Sequence, residues 1–229
     1  RTNAFVLPDG TEIPYAHNNP GPFNAPLMSR KTEPVHWFYR GAGPAEFLTA
    51  VLNPSSQSRE DPSAVKTKIL RMLDCSPAWQ PGPEENSRDM GNLYHGAAAF
   101  FLQNPNFAGS HLFPRELKES VLALHSLAEE TWPGAGRYTE LALTAALETK
   151  QIIDARLDLL IESSEGFHIV DHKFTAEPVT DFEAFAQQHG SQLELYRKAV
   201  NLKTGKKVIG LWLNLPRNGV LLEIDITGV

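Results

Sequence analysis

The chain has a single cysteine, Cys75, among 229 residues. That excludes a disulfide framework, a cysteine-built zinc site and any cysteine-held iron–sulfur cluster within the chain. A buried, inert thiol is what remains. No stretch approaches the ~18 consecutive apolar residues of a membrane-spanning helix. No charged-then-apolar leader opens the chain, so no membrane partner and a cytoplasmic setting are expected. The first residue is Arg1 rather than methionine, and the expectation is a piece of a longer polypeptide. An excess of positive charge is also missing. A formal charge of -6 and a pI near 5.8 argue against coating nucleic acid through general basicity. They leave room for an enzyme acting on it, because a metal site itself demands acidic side chains. No G-x-x-x-x-G-K-[ST] phosphate loop occurs, and Gly41-Ala42-Gly43-Pro44 does not substitute for one. An ATP-driven motor would have to lie outside these residues.

Proline is plentiful but uneven. Most of the 17 prolines precede residue 84, and each removes a backbone donor and biases its predecessor to extended geometry. Residues 1–87 therefore read as a Pro-rich extension or linker that wraps or leads into a core. Short helices are expected near Ala45–Leu52 and Ser63–Leu73. Residues 88–229 are regular. Helical spacing marks 89–103, through Met90, Tyr94, Ala97 and Phe101, and 114–130, through Leu117, Val121, Leu124 and Ala128. Strands are expected at 138–146, 152–162 and 167–174, then a helix at 181–202, then strands at 208–215 and 220–227. That order describes a mixed α/β domain.

The richest stretch is the hairpin Ala155-Arg156-Leu157-Asp158-Leu159-Leu160-Ile161, a polar break, and Phe167-His168-Ile169-Val170-Asp171-His172-Lys173. If the loop has an even number of residues between Ser163 and Gly166, stepping outward in register sets Asp158 directly opposite Asp171. Their β-carbons would then be roughly 4.5–5.5 Å apart. Strand alternation puts Lys173 on that face and turns His172 away. The same face carries Leu160 and Ile169; the other carries Leu157, Leu159, Ile161 and Val170. A strand apolar on both sides is covered on both sides, and burying two carboxylates without a counter-charge is costly. A hard divalent cation would relieve the repulsion.

These residues resemble the RecB-like branch of the PD-(D/E)XK nuclease family, found at the C-terminus of AddA- and RecB-type helicase–nucleases. Asp158 with Asp171-His172-Lys173 resembles its core motif. Gly91-Asn92-Leu93-Tyr94-His95 resembles the upstream helix that brings a histidine ligand. Glu140 resembles the glutamate of the first core strand, with Glu148 as a rival. Gln192-Leu193-Glu194-Leu195-Tyr196 resembles the glutamine–tyrosine motif on the helix after the lysine strand. The sequence departs from the family where His172 replaces the usual tyrosine and Ala155 replaces a frequent glycine. The relatives that carry an iron–sulfur cluster have four cysteines, which this chain does not.

The resemblance implies a restriction-endonuclease-like core, a central mixed sheet flanked by helices. It implies Mg2+ or Mn2+ held by His95, Asp158, Asp171 and the backbone carbonyl of His172. Lys173 would orient the attacking water, Glu140 would support it or a second metal, and Gln192 would support Lys173 or touch DNA. Tyr196, Arg156, Arg197 and Lys198 are the expected DNA contacts. The implied activity is a Mg2+-dependent deoxyribonuclease, exonucleolytic on single-stranded DNA delivered by a helicase domain of the same parent polypeptide, in DNA end processing and recombinational repair. An AddB- or RecC-like partner subunit goes with it. Two alternatives remain at this point. One is a catalytically inactive nuclease-fold module that binds DNA or a partner. The other is a metal-independent hydrolase using Glu140 and Asp158 as an acid–base pair.

Overall fold

The computed structural model describes residues 3–6, 12–15, 51–55, 65–82, 86–107 and 113–228. The chain divides into two units, residues 1–46 and 47–229. In the first, β1 (Asn3–Val6) and β2 (Glu12–Tyr15) form an antiparallel hairpin. The second is built, in chain order, from β3 (Val51–Leu52), β4 (Val65–Asp74), α1 (Ser87–Phe101), α2 (Arg115–Thr131), β5 (Gly136–Ala146), β6 (Ile152–Glu162), β7 (Phe167–His172), α3 (Phe182–Thr204), β8 (Val208–Leu215) and β9 (Val220–Gly228).

Seven strands of this unit form one mixed sheet in the order β3-β6-β7-β8-β9-β4, with β5 also pairing with β6. β7 and β8 run parallel, joined by the α3 crossover; the other long pairings are antiparallel. Helices cover both faces. Ala186, Leu193, Tyr196, Ala199 and Val200 of α3 pack on one side, over Leu160, Ile169, Leu211 and Leu213. Tyr94, Phe101, Leu117, Val121 and Leu124 of α1 and α2 pack on the other, over Leu159, Ile161, Val170 and Trp212. The expected mixed α/β architecture is what the chain adopts. Asp181 caps α3 by accepting a hydrogen bond from the backbone of Ala184 at 3.0 Å. Gly205 closes the helix in the left-handed conformation that glycine tolerates at a C-terminus.

One expectation fails in the first third, and a second lies mostly outside the described residues. Residues 63–73 were expected to hold a short helix, yet Val65–Asp74 is an edge strand of the sheet, paired along its length with β9. Alternation of exposed Lys66 and Lys68 with half-buried Thr67 and Ile69 fits a strand on a covered sheet. The sheet therefore draws on residues placed before the boundary at 87. The helix expected near 45–52 falls mostly outside the described residues; Val51–Leu52 is a short strand parallel to β6. Cys75 is buried, and burial pushes its thiol pKa up to about 12. Among the described residues no helix is long and apolar enough to cross a membrane.

One irregularity positions everything that follows. In the first half of β6 only alternate residues are buried, and Asp154 and Arg156 are exposed; in the second half nearly all are buried. Ile153, Ala155 and Leu157 pack under α3, whereas Leu159 and Ile161 pack under α1 and α2. Residues of one parity thus change faces across Asp158. Leu157 was expected beside Leu159, and this local reversal is why it is not. The partner strand breaks at the same level. Pairing skips from Thr139–Leu159 to Leu141–Leu157, and Glu140 between them adopts φ 52°. That left-handed region is strained for a residue with a Cβ and clusters at functional sites.

Candidate active site

The β6–β7 hairpin keeps the expected register. Ser163 donates to the carbonyl of Gly166 at 2.9 Å, and the ladder runs from Glu162–Phe167 to Leu159–Val170. Asp158 and Asp171 are the next step outward, where the ladder ends and the strands part. Asp158 closes the gap: its Oδ2 accepts from the backbone N–H of His172 at 2.7 Å. The two carboxylates therefore stand at a fork in the sheet, where unpaired backbone leaves room for side-chain chemistry.

On the α1 side of the fork, His95 Nδ1 lies 3.3 Å from Asp158 Oδ1 and 3.9 Å from Glu140 Oε1. His95, Glu140 and Asp158 each offer a ligand atom within 4.8 Å of the others, a grouping able to hold a metal ion. Glu140 Oε2 also accepts from Arg156 Nε at 2.6 Å, with the Arg156 side chain 70% exposed. The rival Glu148 is exposed in the turn after β5 and is not among these donors. Burial opposes charge on His95, but its hydrogen bond to Asp158 and the fields of Asp158, Asp171 and Glu140 outweigh burial and raise its pKa above the usual 6.5. Asp158 mirrors this. Burial pushes its pKa up, and the bond to His95, with further help from His172, more than reverses it.

On the α3 side the arrangement is closed. Asp171 is 2% exposed. Its Oδ2 lies 2.8 Å from Lys173 Nζ, and Lys173 Nζ donates to Gln192 Oε1 at 2.8 Å. Gln192 Nε2 in turn donates to the hydroxyl of Tyr196 at 3.0 Å and approaches Asp171 Oδ1 at 3.5 Å. Gln192 and Tyr196 are one helical turn apart on one face of α3, which is why a single helix can hold this chain of contacts. Burial lifts the Asp171 pKa to about 6, with Lys173 pulling it down and Asp158 pushing it further up.

Most of the expected site residues converge, but not all in the expected roles. His95, Glu140 and Asp158 form the donor group, while Asp171 is engaged by Lys173 and Gln192 beside it. Gln192 is 3% exposed and supports Lys173. Tyr196 was expected to touch DNA. It is 3% exposed, with its hydroxyl on Gln192, so it lies under the site as a prop. Arg197 and Lys198 are both paired with Glu194 on α3, Lys198 at 3.6 Å, so part of their charge is neutralised within the helix. His172 turns away from Asp171, as alternation requires. Its Nδ1 lies 3.1 Å from Asn214 Nδ2, which also donates to the Tyr94 hydroxyl at 2.9 Å. Burial lowers the His172 pKa to about 4, so the ring is neutral and Nδ1 accepts.

Asn214 is the functional-looking residue that sequence reasoning passed over. A lone amide inside the apolar run Leu211-Trp212-Leu213-Asn214-Leu215 was the available signal, since a buried amide requires a partner. His189 is another. It lies on α3 one turn before Gln192, and burial, with the nearby Lys173 charge, lowers its pKa to about 3.

Residues 67–220, well over half of the chain, match the sequence profile of the PD-(D/E)XK nuclease superfamily. The chain belongs to that superfamily. No curated protein matches it. The matched span begins in β4 and ends at the start of β9, so it takes in the fork, the donor group and the lysine. Nucleases of the PD-(D/E)XK superfamily generally use divalent metals, and the grouping of His95, Glu140 and Asp158 suits one. Carboxylate oxygens favour hard cations such as Mg2+ and Mn2+, and an imidazole nitrogen is tolerated best by Mn2+.

Proposed function

We propose that this chain is a metal-dependent deoxyribonuclease domain acting on single-stranded DNA. The observation that carries the reading is the pairing, across one sheet fork, of a three-residue cation-binding group with a buried carboxylate–lysine–glutamine chain. His95, Glu140 and Asp158 would hold the cation, with Asp171 and the His172 carbonyl as the further ligands suggested by the RecB-like resemblance. The negative charge of Asp158, Asp171 and Glu140 that raises the His95 pKa is the charge a cation would answer. When bound, a divalent cation supplies Lewis acidity toward a phosphodiester and a water of lowered pKa.

The rest is done by the chain itself. An ammonium has three N–H donors. Gln192 takes one of those on Lys173 and the Asp171 carboxylate stands beside the ammonium as its counter-charge, which leaves donor capacity for the attacking water or a phosphate oxygen. Because both partners are buried, the ammonium is held in place before substrate arrives, the condition under which such a charge helps a transition state most. Tyr196 holds Gln192, and the Asn214–His172–Tyr94 contacts hold the strand ends that carry Asp171 and Lys173. Exonucleolytic action, a helicase domain in the parent polypeptide, an AddB- or RecC-like partner and a place in recombinational repair belong to the same proposal, on the strength of the resemblance to RecB-like domains.

The direct test is degradation of end-labelled single-stranded DNA with and without Mg2+ or Mn2+. The expected result is metal-dependent cleavage that falls by about 10^3-fold or more in Asp158→Ala, in the range of losses seen when a principal site group is removed. Cleavage that persists in chelator, or in Asp158→Ala, would sink the proposal. An intact metal titration with no cleavage would instead favour a binding module.

A further inference from the structure

The donor group opens to solvent through a groove of about 560 Å3 lined by Asn92, His95, Gly96, Ala99, Glu140 and Arg156. Asn92, Gly96 and Ala99 fall at i, i+4 and i+7 on α1 and share one face of it. Glu140 and Arg156 come from β5 and β6. Two of the six lining residues, His95 and Glu140, are themselves members of the donor group, so the groove leads straight to it. Asp171 and Gln192 lie behind, buried.

Gly96 is the informative residue. Inside a helix glycine is less stable than alanine, because it gives up more backbone freedom. A helical glycine is usually explained by a positive φ or by a neighbour too close for a Cβ. Gly96 is not among the positive-φ glycines, and a Cβ built on it meets no described atom within 4 Å. Gly190 in α3 shows the contrast: a Cβ there would lie 2.9 Å from Val65 Cγ2 and against Thr67, so the β4 packing forbids it. Nothing among the described residues requires a glycine at 96, yet a side chain there would project into the groove.

We propose that this groove seats one unpaired nucleotide of the substrate strand next to the phosphodiester being cut, with Gly96 setting its width. The inference rests on the nuclease reading and specifies its substrate. The volume falls in the ~300–1,000 Å3 range of sites that take one small-molecule-sized unit, which suits a single nucleoside. Arg156 is exposed and adjacent, a phosphate contact of the usual kind. The Asn92 amide can both donate and accept toward a base edge or a phosphate.

The test compares Gly96→Leu and Gly96→Gln with wild type on oligothymidine and on bis(4-nitrophenyl) phosphate, a phosphodiester too small to need the groove. Both variants are expected to lose at least ~10-fold more kcat/KM on oligothymidine than on the small ester, chiefly through KM. Gly96→Ala is expected to melt at a higher temperature than wild type. Equal losses on the two substrates, or no loss on oligothymidine, overturn the proposal. A wild-type protein that cleaves neither substrate refutes the nuclease reading. The groove is then judged by oligothymidine anisotropy in Ca2+, where weaker binding by Gly96→Leu supports it and equal binding overturns it.

Discussion

Asp158 and Asp171 flank the same fork, one step beyond the same ladder, and their surroundings differ in kind. Asp158 faces His95 and Glu140, which are partly exposed, and Glu140 in turn holds the largely exposed Arg156. Asp171 faces Lys173, Gln192 and Tyr196 in a closed pocket behind it. The first carboxyl is held below its ordinary pKa and the second is lifted to about 6. Proximity along the sheet did not make them equivalent. The open half gathers negative charge where a cation can reach it, and the closed half fixes one ammonium beside that place. A buried ion pair is weak evidence for stability, so the closed half is better explained by positioning.

Substitutions in the two halves should therefore leave different signatures. Lys173→Ala is expected to lower kcat by about 10^2–10^3-fold, the cost of losing one preorganised donor, while the calorimetric affinity for Mn2+ stays near wild type. Glu140→Ala removes one of three donors and is expected to weaken Mn2+ binding by about 10–100-fold, as loss of a group that holds a metal site in order does. Part of the lost rate should return at high Mn2+. If Lys173→Ala abolished metal binding, or if high Mn2+ failed to restore any Glu140→Ala activity, the division into a binding half and a positioning half would be wrong.

The two halves were unequally legible in the sequence. Asp158, Asp171 and Lys173 could be placed because a hairpin register with period-two alternation is nearly deterministic once the loop length is known. The reversal at Glu140 and Asp158 could not, since one left-handed residue inside a strand leaves no mark in hydrophobic periodicity. That reversal moved Leu157 to the α3 side. β4 was misread because a proline-rich neighbourhood lowers any strand expectation, and its partner β9 lies about 150 residues away in sequence. Tyr196, expected as a DNA contact, is buried instead. It lies on the apolar stripe of α3, and only the packing decides between a core tyrosine and a stacking one.

The closed half makes a prediction about stability. Asp171 has a folded pKa of about 6 against an ordinary 3.8, so the folded state binds its proton more tightly than the unfolded chain. That contribution is fully present below about pH 3.8 and is lost as pH rises through about 6, because stability falls with pH wherever the native state holds more protons. Asp171→Asn mimics the protonated form at every pH. Without metal it is expected to be more stable than wild type by roughly 3 kcal/mol near pH 8, from the size of the shift, and the advantage should fade between pH 6 and 4. Denaturant titrations at pH 4.5, 6 and 8 measure it. A difference independent of pH would mean that Lys173 keeps Asp171 ionised throughout.

The smallest expected effect bears on the open half. Arg156 is mostly exposed, and its bond to Glu140 makes it a competitor for the same carboxylate that a cation would use. Removing it should act in opposite directions on the two ligands. Arg156→Ala leaves Glu140 more available, so Mn2+ should bind about 2–5-fold tighter, in line with the modest worth of an exposed ion pair. Oligothymidine should bind more weakly, and the slope of log K against log salt should shrink by about 0.7 for one lost phosphate contact on a single strand. A drop in both affinities would place Arg156 in the architecture of the fork; a change in neither would leave it as a solvated side chain. Opposed shifts would show the open half exchanging an internal counter-charge for metal and phosphate together.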